Sequence, residues 1–255
     1  MTRLIRVELL KLRTMRVSYG LLATAAGITV IFAVLNATRG ATINTASGLN
    51  TEILVGVWAL LLSAIFGVIV SSGEFRHATA TLTYLTTPRR NRVLVAKVIA
   101  AAGGGAIFGL AGGLIATGIG LMFAAAHGYH LALGAATLTR YSAGYVVGAA
   151  LLAAIGCALG SLVRSQVAAI IGVFVWAVVI ESVLGGLFPA IRAYLPYAAA
   201  TTLAGARIGY STFGPGHGAS AGIPLTFVAA TALLAALAIG LCAVAARTTV
   251  ARDVS

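Results

Sequence analysis

The stretch SSGEFRHATATLTYLTTPRRNRVLVAK (Ser71–Lys97) is a charged, threonine-rich piece between two long apolar segments. Its apolar residues recur at steps of three, four and three, which places them on one helical face: Phe75, Ala78, Leu82 and Leu85. Thr87 precedes Pro88 and is therefore pushed away from the α region, which ends the helix. The spacing predicts a short amphipathic helix over about 74–86 at a membrane surface, followed by a basic turn that leads into the next helix.

The composition of the chain indicates an integral membrane protein. Hydrophobic residues make up 60% of the 255 positions, charged residues only 9%, and the mean hydropathy is +1.03. Apolar runs long enough to cross a hydrocarbon layer of roughly 30 Å recur along the whole chain. We therefore predict one all-α transmembrane domain, residues 1–255, preceded by no cleavable signal. The predicted spans are Val17–Leu35, Ile53–Val70, Val98–Ala124, Tyr141–Val163, Val167–Leu187 and Pro224–Ala246.

The formal charge of +12 is arranged beside the predicted spans and forms no continuous basic stripe with aromatic residues. We accordingly expect no nucleic-acid partner. If both termini are cytoplasmic, 13 of the 17 Lys and Arg residues lie inside and four lie outside, and the positive-inside rule selects this topology over its inverse. The four outer residues are Arg39, Arg140, Arg192 and Arg207.

Motifs for catalysis, metal binding and nucleotide binding are missing from the sequence. Cys157 and Cys242 fall inside predicted spans and are interpreted as small buried hydrophobic residues. The four histidines are scattered, and no G-x-x-x-x-G-K-[ST] loop for phosphates occurs. We expect no catalytic, cofactor-binding or metal-binding residues in this chain, so any energy from ATP must come from another subunit.

Glu181 is the one charged residue inside a predicted span. It lies fourteen residues after Val167, roughly 21 Å along a helix, and therefore in the outer half of the bilayer. Two readings remain open. The carboxylate is either structural, with a hydrogen bond to neighbouring segments or an ion pair with Arg192, or it is an outer gate or polar point in a transport path.

Glycine pairs and a short apolar segment complete the pattern. Gly105 with Gly109, Gly144 with Gly148, and Gly156 with Gly160 have the small-xxx-small spacing of helix-packing surfaces. The segment LFPAIRAYLPYAAATTLAG, which follows Glu181, is apolar but broken by two prolines. It is too short to span, and we predict re-entrant or interfacial short helices between spans five and six.

Three stretches resemble the permease subunits of bacterial type-2 ABC exporters: ELLKLRTMR, SGEFRHATATLTYLTTPRRNRVLVAK and, more weakly, ESVLGGLFPAIRAYLPYAAATTL. The resemblance implies an elbow helix at 1–16 on the inner leaflet and a coupling helix at about 74–86 that receives motion from a separate ATPase. The positions that carry the coupling role over are Gly73, Glu74, Phe75, Arg76, His77, Thr79, Leu82, Leu85, Arg89 and Arg90. Ala78 departs from the family pattern, where glycine is expected.

The function implied by this resemblance is that of a non-enzymatic permease in the cytoplasmic membrane. Two ABC ATPase subunits, which bind ATP and Mg²⁺, would act on it together with a second permease copy or a homologue. Lipid surrounds the spans, and the substrate is expected to be amphipathic or hydrophobic: a lipid, a drug or a peptide. The alternatives are an ion-gradient-driven transporter, with Glu181 as a proton site, and a membrane scaffold that transports nothing.

Overall fold

The computed structural model describes eight segments of the chain: residues 2–39, 54–76, 90–128, 134–163, 165–205, 210–211, 214–215 and 225–248. The described part is helical apart from one antiparallel pair of two-residue strands, Tyr210–Ser211 (β1) and Gly214–Pro215 (β2). The helices are α1 (Thr2–Thr14), α2 (Arg16–Arg39), α3 (Val57–Arg76), α4 (Arg90–Ala126), α5 (Ala135–Val163), α6 (Gln166–Val175), α7 (Glu181–Leu187), α8 (Pro196–Leu203) and α9 (Phe227–Thr248).

Three shorter helical turns connect these elements. A 3₁₀ turn, Leu54–Gly56, precedes α3, and a second one, Arg192–Tyr194, precedes α8. A π-helical turn, Trp176–Ile180, joins α6 to α7, so that the three form one continuous helical segment. The all-helical class that the composition predicts is confirmed.

Five helical segments in the described part are long and apolar enough to cross a membrane: Arg16–Thr38, Asn91–Ala126, Ala135–Val163, Gln166–Leu187 and Phe227–Thr248. They fit a multi-pass membrane protein. The second predicted span falls short of this length because the apolar part of α3, Val57–Gly73, would rise only about 25 Å. Its residues Ala59, Leu60 and Val68 are nevertheless wholly buried, so α3 lies inside the bundle.

The boundary between the second predicted span and the coupling helix differs from the expectation. We expected a span that ends at Val70 and a separate helix that begins at Glu74, but α3 runs without a break to Arg76. Ser72 explains the continuation, because its buried hydroxyl donates to the carbonyl of Val68 at 2.7 Å and the polar group is satisfied within the helix.

The helices pack around α5, and glycines allow the close approaches. A Cβ on Gly156 would overlap the carbonyl of Ala64 on α3, and one on Gly109 would overlap the carbonyl of Tyr145 on α5. Gly144 meets Leu203 of α8 in the same way. All three predicted glycine pairs therefore contribute to helix packing within the chain, where absent side chains let backbones touch.

The two ends of the bundle collect different elements. At one end, α1 packs on α4, where Leu12 approaches Gly104. Near the start of α4, Leu94 packs with Ala245 close to the end of α9. Because Phe66 of α3 also reaches Gly104 while Gly56 lies beside Gly112, α3 is antiparallel to α4 and ends on this side. We name it the α1 end, and the opposite side, where α8 packs on α5, the α8 end.

The glycine contacts predict a position-specific effect on stability. Gly156→Ala should lower the free energy of unfolding by about 1–3 kcal/mol, because the new methyl group meets backbone that cannot move away without shifting α3. Gly240→Ala in α9 is the matched control. Nothing lies within 4 Å of its Cβ, and alanine is the better helix former by up to about 1 kcal/mol. Thermal unfolding of the purified variants measures both, and equal midpoints would contradict the packing role.

Candidate functional site

Glu181 is the first residue of α7 and follows directly on the π-helical turn. A π turn inserts one extra residue into the helix and changes which side chains face the neighbouring elements. The side chain of Glu181 points into the protein, and the residue is 5% exposed. A carboxylate at such a depth needs polar partners in the protein.

The partners of Glu181 are three N–H groups. Its Oε1 accepts from Nε1 of Trp176 at 3.0 Å and from the backbone N–H of Tyr197 at 2.9 Å. Its Oε2 accepts from the backbone N–H of Ala198 at 2.9 Å. Two of the three donors belong to the first turn of α8, so a side chain from α7 binds the beginning of a helix sixteen residues further along the chain.

This contact is an N-terminal helix cap provided from another element. The first four N–H groups of a helix have no partner within the helix. In α8 the first residue, Pro196, has no N–H, and the preceding Leu195 has no side chain that could cap the helix. Glu181 satisfies the next two donors, and its negative charge lies at the positive end of the helix dipole. The structural role considered for Glu181 from the sequence therefore has identified hydrogen-bond donors.

Tyr197 connects the same site to α3. Its hydroxyl donates to the carbonyl of Val57, the first residue of α3, at 2.9 Å, and the side chain is 6% exposed. Arg192, the ion partner considered from the sequence, packs its aliphatic carbons against Gly185, four residues after Glu181. The short helices after α7 are thus held on both α7 and α3.

A cavity of about 390 Å³ opens beside this contact. It extends along α6 and the π turn from Ala168 to Glu181, and its other walls come from α3, α5, α8 and α9. Glu181 lies thirteen residues after Ala168, which gives a length of about 20 Å. Among the lining residues, only Trp176, Glu181 and Tyr197 have polar atoms in their side chains. Apolar clefts of this size with few polar groups are typical ligand sites.

Of the predicted coupling residues, the structure describes Gly73 to Arg76 and Arg90, which lie at the α1 end. Gly73 is in the last turns of α3, and nothing lies within 4 Å of its Cβ position. The backbone of Glu74, Phe75 and Arg76 completes α3, and Arg90 begins α4. His77, Thr79, Leu82, Leu85 and Arg89 lie outside the described residues.

Sequence reasoning missed four residues that the structure makes prominent. Trp176 and Tyr197 are partners of Glu181, and their spacing does not mark them as such, because Trp176 lies five residues before Glu181 and Tyr197 lies sixteen residues after it. Glu8 and Lys97 are each 6% exposed on helices that pack together, α1 and α4. Glu8 also accepts from Lys11 Nζ at 2.9 Å. The i, i+3 spacing of Glu8 and Lys11 was the signal for that ion pair.

The structure also shows the surroundings of the cysteines and of the side chains that could bind a metal. Cys157 is buried, Cys242 is half-buried, and both are free thiols. Within the described ranges, no three His, Cys, Asp or Glu side chains are grouped so that they could hold a metal ion.

Comparison with known proteins adds no assignment. The chain matches no protein-family model and no curated protein sequence.

The cap contact predicts a graded response to substitution of Glu181. Glu181→Ala removes the acceptor of three donors, two of which are backbone groups of α8, and should lower the free energy of unfolding by about 2–5 kcal/mol. Glu181→Gln keeps one acceptor oxygen and should lose less. Ser182→Ala, at the next position, removes only a bond to the carbonyl of Val178 in its own helix and serves as the control. We expect the midpoint of thermal unfolding to be highest for Ser182→Ala, lower for Glu181→Gln and lowest for Glu181→Ala. An unchanged midpoint for Glu181→Ala would refute the cap.

Proposed function

We propose that the chain is the permease subunit of a type-2 ABC exporter, which moves an amphipathic or hydrophobic substrate with the help of a separate ATPase. The observation that carries this proposal is which helices meet at the α1 end. The N-terminal helix, the end of α3 and the start of α4 lie there together. The segment with the resemblance to coupling helices, 77–89, leaves and re-enters the described structure at this same end.

The α1 helix supports the elbow-helix role. Its inward face carries Glu8 and Leu12, which are buried against the bundle. Its outer face exposes Val7 and Leu10, 50% and 53% accessible, in a helix that also carries three arginines. Apolar side chains interleaved with arginines on an exposed helix are suited to the boundary between headgroups and acyl chains.

The membrane arrangement in this proposal has six spans, the five long helical segments and α3. The termini and the segment between α3 and α4 are cytoplasmic, because this choice places 13 of the 17 basic residues on the inside. The short helices between α7 and α9 are a re-entrant pair at the outer side. Their backbone polar groups need protein partners there, and Glu181 accepts hydrogen bonds from two of these groups.

The exporter would operate as two permease copies, or one copy with a homologue, between two ATPase subunits. ATP and Mg²⁺ bind in the ATPases, and closure of that pair moves the coupling helices at the cytoplasmic surface. The resulting change in the bundle switches the path from inward to outward access. For a proton-driven transporter Glu181 would be the exchange site, but its three N–H donors fit a permanent structural anchor better.

A test of coupling uses the charged replacement of apolar residues in the segment 74–86. Leu82→Asp and Leu85→Asp should each reduce co-purification of an ATPase encoded by a neighbouring gene and abolish substrate-stimulated ATP hydrolysis, because an unpaired carboxylate at a contact costs several kcal/mol. Thr83→Asp adds the same charge on another face of the predicted helix and should retain most of both. Only variants that reach the membrane in normal amounts are compared. Full binding and full stimulation in both leucine variants would refute the exporter assignment.

The topology has its own test. Single cysteines are introduced at Asn44, Thr86 and Ser220 in a chain whose Cys157 and Cys242 are replaced by alanine. In intact cells a membrane-impermeant thiol reagent should label the cysteines at positions 44 and 220 and leave the one at position 86 unlabelled, because, of these three positions, the positive-inside rule places only position 86 in the cytoplasm. Permeabilised cells, where position 86 becomes accessible, provide the control. Labelling of position 86 alone in intact cells would invert the topology.

A further inference from the structure

The cavity beside Glu181 has the shape of a site for one extended chain. Its lining follows α6 and the π turn for about 20 Å, from Ala168 to Glu181. A cleft of this length suits a single extended hydrocarbon chain. The side chains of Leu61, Leu152, Ile155 and Leu237 supply an apolar wall from three different helices.

The charge of the lining selects the head of the ligand. Glu181 is the only acidic residue among the lining residues, and no Lys, Arg or His is among them. The recorded donors to its carboxylate, one indole and two backbone amides, are neutral. A positively charged group entering the cavity is therefore favoured over an anionic one, which would be repelled in a medium that screens poorly.

The local geometry leaves room for such a contact. An ionised carboxylate has about four acceptor positions, and three N–H groups are recorded at Glu181, two on Oε1 and one on Oε2. Within the described ranges Oε2 accepts one hydrogen bond, so it has a position for one more. Trp176 also lines the cavity and is 41% exposed, and its ring offers the electron-rich surface that attracts ammonium groups.

We propose that this cavity binds a single-chain cationic amphiphile, with its ammonium group at Glu181 Oε2 and Trp176 and its hydrocarbon chain along α6 toward Ala168. The inference rests on the proposed function in one respect: it names the class of substrate that the exporter would move. Binding itself needs only this chain. The cap on α8 stays in place, because the ligand uses the acceptor position that the cap leaves open.

The test measures binding to the purified chain in phosphatidylcholine bilayers. Trp58→Phe leaves Trp176 as the one tryptophan, and phenylalanine preserves the ring contact with Phe32. The probes are an amine, an alcohol and a sulfate on the same brominated chain of about 16 carbons, a length chosen for the cavity of about 20 Å. Bromine quenches tryptophan fluorescence on contact, and saturable quenching reports occupancy beside Trp176.

The expected order of affinity is amine, then alcohol, then sulfate, with the amine about tenfold tighter than the alcohol. Glu181→Gln should reduce the amine to the affinity of the alcohol. Gly172→Leu fills the cavity from α6, where nothing lies within 4 Å of the Cβ position, and should remove saturable quenching by all three probes. Gly240→Leu, an equally open position in α9 outside the lining, is the matched control and should bind like the parent.

Three results would overturn the proposal. Equal affinities for the three head groups would show that lipid tails or any chain fill the cavity. An amine preference that survives in Glu181→Gln would place the cation elsewhere. Equal binding by Gly172→Leu and Gly240→Leu would place the chain outside the cavity. None of these measurements involves an ATPase, so failure of ATPase coupling with intact amine binding refutes the exporter and leaves the site, and the reverse result refutes the site alone.

Discussion

The arrangement of the α8 end depends on one constraint: a helix that begins inside an apolar protein must have its first N–H groups satisfied. In water these groups would bond to solvent, but at the depth of Tyr197 and Ala198 only the protein can supply acceptors. Glu181 meets both amides at 2.9 Å. Pro196 removes a third donor from the same turn. Among the five long apolar segments of the described residues, Glu181 is the only acid, and the backbone that it binds explains its presence.

The consequences of this contact extend to the rest of the bundle through close backbone packing. Once α8 is fixed, its residues Ala200 and Leu203 face Gly148 and Gly144 of α5. The same α5 meets α3 through Gly156 and Ala64. Association of helices in lipid has little hydrophobic driving force, so such van der Waals contacts must be tight to be stabilising. Glycine at these positions is required by the approach of the backbones and not by helix propensity.

Much of this fold could be predicted from the sequence because its signals are local. Hydropathy places the long helices to within a few residues at most ends, as at Val163 and Leu187, and the glycine spacings identify three surfaces that pack. Signals that depend on tertiary context failed. The end of α3 at Arg76 could not be read from hydropathy, because Ser72 is polar yet satisfied within its own helix. The π turn before Glu181 has no spacing signature, and without it the partnership of Glu181 with Trp176 is invisible.

The site, like the fold, could be predicted from the sequence only in part. Glu181 was identifiable as a single acid in an apolar span, whereas its partners were not, since backbone amides have no sequence signature and Tyr197 is sixteen residues away. The cavity was also beyond prediction, because its walls come from segments as distant as Leu61 and Leu241. The coupling segment remains a prediction from resemblance, with only its flanking helices placed.

α3 extends from the α8 end to the α1 end, so a movement at one end could be transmitted to the other. Its first residue, Val57, accepts the hydroxyl of Tyr197 at the α8 end, and its last, Arg76, adjoins the segment that is proposed to meet the ATPase. Between them the helix has no break, and its glycine contacts with α5 leave little space for bending. A displacement at the α1 end would therefore move α3 as a rigid rod. Because Leu61 and Ala64 of α3 also line the cavity, such a movement would change the width of the cavity and the support of α8 together.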